Sequence, residues 1–217
     1  MVRTFGLDDF ILLLIGLQWT LAIAAVAFVG GIIGGLVVAL CRVSPKRLVR
    51  LPAQYLIEVF QGTPLLMQLF LVYFGIGILG INVSPWTAIC VAYTCHASAF
   101  LGEIWRGCIQ AVPRGQSEAA FALSLSYASR MRYVVLPQAL RISLPATIGF
   151  LVQLIKGTSL ASIVGFTELM RSGQYINNAT YQPMIVYGVV GLMYFAVCWP
   201  LSFWSMRLEH RLAASTR

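Results

Sequence analysis

Charged side chains are scarce in this sequence: 10% of its 217 residues are Asp, Glu, Lys or Arg, and only 7 of them are acids. A soluble domain carries about 25% charged residues, so an ordinary water-exposed fold is excluded. The five cysteines, Cys41, Cys90, Cys95, Cys108 and Cys198, are scattered through mostly apolar stretches with no C-x-x-C pair. That excludes a disulfide framework or a zinc site and leaves buried thiols. The two histidines, His96 and His210, are too far apart to suggest a metal site. No G-x-x-x-x-G-K-[ST] phosphate cradle is present, so the chain is not expected to hydrolyse ATP. No internal repeat appears, which weakens a carrier built from inverted halves. No paired nucleophile and base or metal motif supports an intramembrane enzyme.

What the chain has is apolar length. It is 59% hydrophobic, with a mean hydropathy of +0.82, enough for about five or six spans of ~20 residues. The runs predict five transmembrane helices over about 10–40, 55–79, 86–109, 144–166 and 184–206, in one all-α integral membrane domain covering 1–217. Every backbone polar group in lipid needs an internal partner, so the spans are helices. Pro64 is expected to break the second, and the glycines of "GGIIGG" (Gly30 to Gly35) to let the first pack closely on a neighbour. Ala22-Ile23-Ala24 resembles a signal-peptidase site, but the apolar run is overlong and Asp8 and Asp9 precede it, so no cleavage is expected.

The net charge of +8 points to membrane orientation rather than nucleic acid. "CRVSPKRLVR" (Cys41 to Arg50) holds four Lys/Arg and no acid, whereas "INVSP" (Ile81 to Pro85) holds neither. The segment 110–141 is Arg-rich. The polar loop 167–183 balances Arg171 with Glu168, and the tail is basic again. Heavy loops alternate with light ones, which predicts an outside N-terminus, an inside C-terminus and a cytoplasmic 110–141.

That cytoplasmic segment is too polar to cross and too apolar for a linker. As a helix, it places Glu118, Phe121, Ala122 and Leu125 on one face, with Glu118 near the favourable positive end of the helix dipole. The small residues Ala119, Ala120 and Ala122 would allow close docking. Ser126 is expected to cap a second short helix, and Pro137 to stop it. A helix lying on lipid usually faces Lys/Arg outward, yet none lies between Gln116 and Ser129, so a protein partner fits better.

"EAAFALSLSYASRMRYVVLP" (Glu118 to Pro137) resembles the EAA loop of ABC importer permeases, whose pattern is E-A-A, three residues, Gly, nine residues, Ile-x-Leu-Pro. Glu118, Ala119, Ala120, Leu136 and Pro137 match, Val134 replaces the Ile, and Ser124 stands at the Gly. The stretches Val59–Gly77, Ala99–Gln116, Leu136–Ala146, Lys156–Leu169 and Asn177–Pro183 are similar to the polar amino acid branch. The resemblance implies the permease subunit of an ATP-driven importer in the bacterial inner membrane. Its implied partners are cytoplasmic ATP-binding subunits, a second permease (identical or sister) and an extracytoplasmic amino-acid-binding protein, with lipid around it and no nucleic acid. It implies no bound cofactor, because the partner subunits use the ATP. Glu118, Ala119, Ala120, Ser124 and Leu125 would couple to the ATPase. The family glycine suits a left-handed turn; Ser124 is expected to keep an ordinary backbone and cap locally.

Ionisable residues near spans are functional candidates. Glu58, Glu103 and Arg106 suit structural ion pairs or docking to the coupling segment, Glu103 and Arg106 three apart on one helix and Glu58 near Arg50. Lys156 lies about 18 Å into the fourth span, beyond easy snorkelling. With Thr158 and Ser159 it is the candidate substrate path. The resembling proteins often carry Asp at 157, where this chain has Gly157. The competing reading is a small proton-coupled carrier or channel using Glu58 and Glu103, which leaves the EAA segment unexplained.

Overall fold

The computed structural model describes residues 4–78 and 80–215. Among them every regular element is helical and no strand occurs. Helix α1 (Leu7–Arg42) runs for 36 residues, about 54 Å. Asp8 and Asp9 occupy its first turn, where the dipole favours acids, and Asp9 accepts from the Gly6 amide at 2.9 Å. Helix α4 (Pro85–Ala111) lies along α1, with Ser84 capping its start through the Thr87 amide.

The glycines of α1 set that approach. A Cβ added at Gly31 would fall 2.4 Å from the Ala97 Cβ, and one at Gly35 2.9 Å from the Leu101 Cβ. The glycines therefore serve close packing, as expected, and the neighbour is α4. The buried residues Ile23 and Ala27 of α1 meet Ile89, Tyr93, Ala97 and Leu101 of α4 in the main core.

Between α1 and α4 lie α2 (Arg47–Gly62) and α3 (Leu65–Ile78), bent 107° to each other at Thr63 and Pro64. The expected second span is thus two helices, and Arg47 and Arg50 are helical rather than in a turn. Pro64 has no N–H to continue the ladder, so carbonyls at the break need other donors. Gln68 supplies them: its Nε2 donates to Phe60 O at 2.8 Å and Thr63 O at 3.0 Å. Gln68 Oε1 in turn lies 3.0 Å from His96 Nδ1 on α4.

Helix α5 (Arg114–Ala122) is short. The helix after it, α6 (Tyr127–Val164), contains a wide π turn at Met131–Val135 and tightens to 3-10 at Thr158–Val164. Pro137 was expected to end a short helix. Instead the π turn shifts the ladder so that Pro137 sits in the first turn of the regular stretch Leu136–Gly157, where a missing N–H costs little. The fourth span and the second cytoplasmic helix are therefore one rod.

Helix α7 (Leu169–Thr180) replaces the expected polar loop, and α8 (Pro183–Ser215) closes the chain. Leu169 and Ile176 of α7 pack with Leu13 of α1 and Val186, Val190 and Met193 of α8 in a second core. By length and composition α1, α6 and α8 can each cross a bilayer, and the bent pair α2–α3 makes a fourth candidate. Large apolar side chains such as Ile33, Val37, Leu192 and Trp199 remain exposed along α1 and α8, as suits rods whose surroundings are hydrocarbon.

Candidate functional site

The segment 114–135 is built from local rules. Helix α5 ends in a Schellman turn: Leu125 N–H donates to Ala120 O at 3.1 Å and Ser124 N–H to Phe121 O at 2.8 Å. This closure requires a left-handed residue after the helix, and Ser124 has φ +58°. The expected ordinary conformation at Ser124 is therefore wrong; the two hydrogen bonds and the direction of the following helix hold it left-handed. Ser126 caps the next helix by accepting from the Ser129 amide at 3.3 Å, as its position suggested.

Glu118, Ala119 and Ser124 are exposed, and so are Phe121 (72%) and Leu123 (77%). Ala120 faces inward at 3% and Leu125 is half-buried, so Ala120 serves packing rather than an outer face. The short helix is fastened to the rest of the chain. Gln138 Nε2 on α6 donates to Gln116 Oε1 at 3.3 Å, and the Tyr127 hydroxyl donates to Val43 O at 3.2 Å. The first bond ties α5 to α6, and the second ties the start of α6 to the end of α1.

Glu103 and Arg106 form a two-pronged ion pair in which Arg106 Nε donates to Glu103 Oε2 at 2.8 Å. Arg106 also donates to Gln110. The ion pair expected for Glu58 does not form among the described residues: Glu58 is exposed and accepts instead from Gln54 Nε2, one helical turn away, at 2.8 Å. The two acids are thus held by separate local partners, which gives no support to a proton relay between them.

Lys156 is exposed and, among the described residues, has no carboxylate within ion-pair distance. With Ser159, Met170, Tyr187 and Tyr194 it lines a cavity of about 400 Å³ between α6, α7 and α8. Tyr93 donates to Gly157 O at 2.8 Å, anchoring α6 where it tightens. Thr158 is fully buried and donates to Ile155 O at 2.7 Å, so it does not line the cavity. Ser159 does line it, with its hydroxyl donating to Lys156 O at 2.9 Å.

One functional candidate escaped the sequence reading. Glu168, read as a loop acid balancing Arg171, is fully buried. It accepts from the Met170 and Arg171 amides at 3.0 and 2.9 Å, from Thr20 Oγ1 at 3.3 Å and from the Tyr194 hydroxyl at 3.1 Å. Arg171 turns instead to Gln174 and the Tyr175 ring. The clue was in the sequence: Leu169, Ser172, Gly173, Ile176 and Thr180 are the buried positions, at helical spacing. Through Tyr194, which also lines the Lys156 cavity, Glu168 ties that wall to α1. Among the described residues no cluster of three or more His, Cys, Asp or Glu is suited to a metal ion.

Residues 31–215 match the family described as "Binding-protein-dependent transport system inner membrane component". The chain is 35% identical over 208 residues to the probable amino-acid ABC transporter permease protein YckA of Bacillus subtilis (strain 168), covering 96% of this chain and 92% of that one. It is 34% identical over 201 residues to the arginine transport system permease protein ArtQ of the same organism, covering 92% of each. Among solved structures, a chain of an amino acid ABC transporter crystallised with histidines superposes with a TM-score of 0.88 at 35% identity, covering 96% of this chain and all 100% of that one.

Proposed function

This chain belongs to the family of binding-protein-dependent transport system inner membrane components, and on that premise we propose that it is the permease subunit of an ATP-driven importer of polar amino acids. The names of its relatives support the substrate class. In this reading the chain sits in the bacterial inner membrane with five spans, N-terminus outside and C-terminus inside. It pairs with a second permease, identical or sister, receives substrate from an extracytoplasmic binding protein, and relies on separate ATP-binding subunits.

The observation that carries the reading is the exposed end of α5. Glu118, Phe121 and Leu123 stand clear of the chain's own packing. Large exposed apolar groups beside an acid suit a partner's groove. The Schellman turn and the Gln116–Gln138 contact make the helix a stiff handle on α6. Closure of the partner ATPase would move that rod and the cavity at its far end together. There the Lys156 ammonium, with no carboxylate within ion-pair distance among the described residues, suits a substrate carboxylate, and the apolar walls with Tyr187 and Tyr194 fit a small-molecule site.

Reconstitution with the ATPase and binding protein tests this. Labelled polar amino acids should enter liposomes only with ATP, and Glu118→Lys should cut ATPase association or uptake at least tenfold while membrane insertion stays intact. Normal coupled uptake in that variant refutes the handle. For orientation, a reporter fused after Ile81 should read as outside and one after Arg114 as inside; a cytoplasmic signal after Ile81 rejects the topology.

A further inference from the structure

A second cavity, of about 590 Å³, lies where α1 ends, α2 begins, α4 ends and α6 begins. Four arginines line it: Arg42, Arg50, Arg106 and Arg130. Arg106 is matched by Glu103. Among the described residues, no carboxylate lies within ion-pair distance of the other three. Glu58 is near, but it accepts from Gln54. Gln54 Oε1 accepts from Arg42 Nη1 at 3.3 Å, and Arg42 Nε is buried with no partner among the described residues. A buried donor without a partner favours a ligand that can accept from it. The three guanidinium groups give the cavity a positive charge that favours an anion.

The surroundings indicate which anion fits. Beside the arginines the wall combines apolar Ile109, Met131 and Val135 with polar Gln54, Gln110 and Ser117. Helix α2, which carries Arg50, leaves Leu48 (90%), Tyr55 (61%) and Val59 (59%) exposed. The cavity sits at the end of α1 and the start of α2, both candidate spans, where lipid headgroups meet a membrane protein, while the apolar side chains on the far face of α2 meet hydrocarbon. Basic pockets between spans are suited to such headgroups, and guanidinium forks to phosphate oxygens.

We propose that the cavity formed by Arg42, Arg50 and Arg130 binds the headgroup phosphate of an anionic phospholipid at the ends of the membrane-spanning helices. The lipid would tie the end of α1 to the start of α6, stiffening the region that carries the α5 handle. The proposal does not depend on which solute is transported.

The test is native mass spectrometry of the delipidated full-length chain titrated with phosphatidylglycerol, with phosphatidylcholine, and with inorganic phosphate. Phosphatidylglycerol should bind more tightly than phosphatidylcholine. Each single change, Arg50→Gln or Arg130→Gln, should weaken it about fivefold, and the triple change with Arg42→Gln about a hundredfold, at roughly one such factor per arginine. Arg207→Gln and Arg211→Gln in the tail, which remove charge elsewhere, should leave it unchanged. If the triple variant fails to fold, the single changes still decide. Equal binding of phosphatidylglycerol by wild type and the single variants overturns the site. Equal losses from the tail changes reduce it to general charge attraction and overturn it too. Displacement of the lipid by equimolar inorganic phosphate overturns the lipid as occupant and points to a free anion.

Discussion

Replacing Ser124 with glycine should stabilise the turn after α5. Ser124 has φ +58°, a conformation that costs an L-residue about 1–2 kcal/mol and glycine almost nothing. Against this, glycine adds about 0.4–1 kcal/mol of unfolded-chain freedom. The net gain is about 0.5–1 kcal/mol, or about a two- to fivefold change in a local opening equilibrium. The backbone amides of Ser124 and Leu125 report it directly, because they donate to Phe121 O and Ala120 O in the Schellman closure. Hydrogen exchange of the chain in lipid nanodiscs should therefore slow two- to fivefold at these amides in Ser124→Gly, with α1 and α8 unaffected. Ser124→Ala removes the hydroxyl but keeps the left-handed penalty, so it should leave exchange near the wild-type rate. Faster exchange in Ser124→Gly, or equal slowing in Ser124→Ala, refutes the argument that backbone strain rather than the hydroxyl governs this turn.

Gly31→Ala should lower thermal stability in detergent by about 1–3 kcal/mol, because the new Cβ would meet the Ala97 Cβ at 2.4 Å; an unchanged melting curve would show that α1 and α4 separate freely. Lys156→Met should cut uptake at least tenfold while assembly and basal ATPase activity of the complex persist, since the ammonium has no described carboxylate to release; undiminished uptake with unchanged selectivity removes Lys156 from the substrate path.

The membrane class, the apolar runs and the position of the EAA segment follow from sequence alone. Continuous apolar stretches have few stable environments other than lipid, and a cap such as Ser126 is a matter of neighbouring residues. The pairing of Glu103 with Arg106 was equally local, three residues apart on one helix. Other features depend on contacts between distant parts of the chain. Ser124 is left-handed because α5 and α6 must be closed at a given angle, and local preference gives way to that geometry. Pro137 continues a helix because the π turn before it moves the missing N–H to where none is needed. Glu168 reads as a loop acid until Thr20, 148 positions away, and Tyr194 close over it. Arg42, Arg50 and Arg130 meet around one cavity only when the ends of α1, α2 and α6 are brought together. Charge count and hydropathy report each residue's affinity for water, a property of the residue. Which charges come to face one another across a cavity is a property of the packed helices.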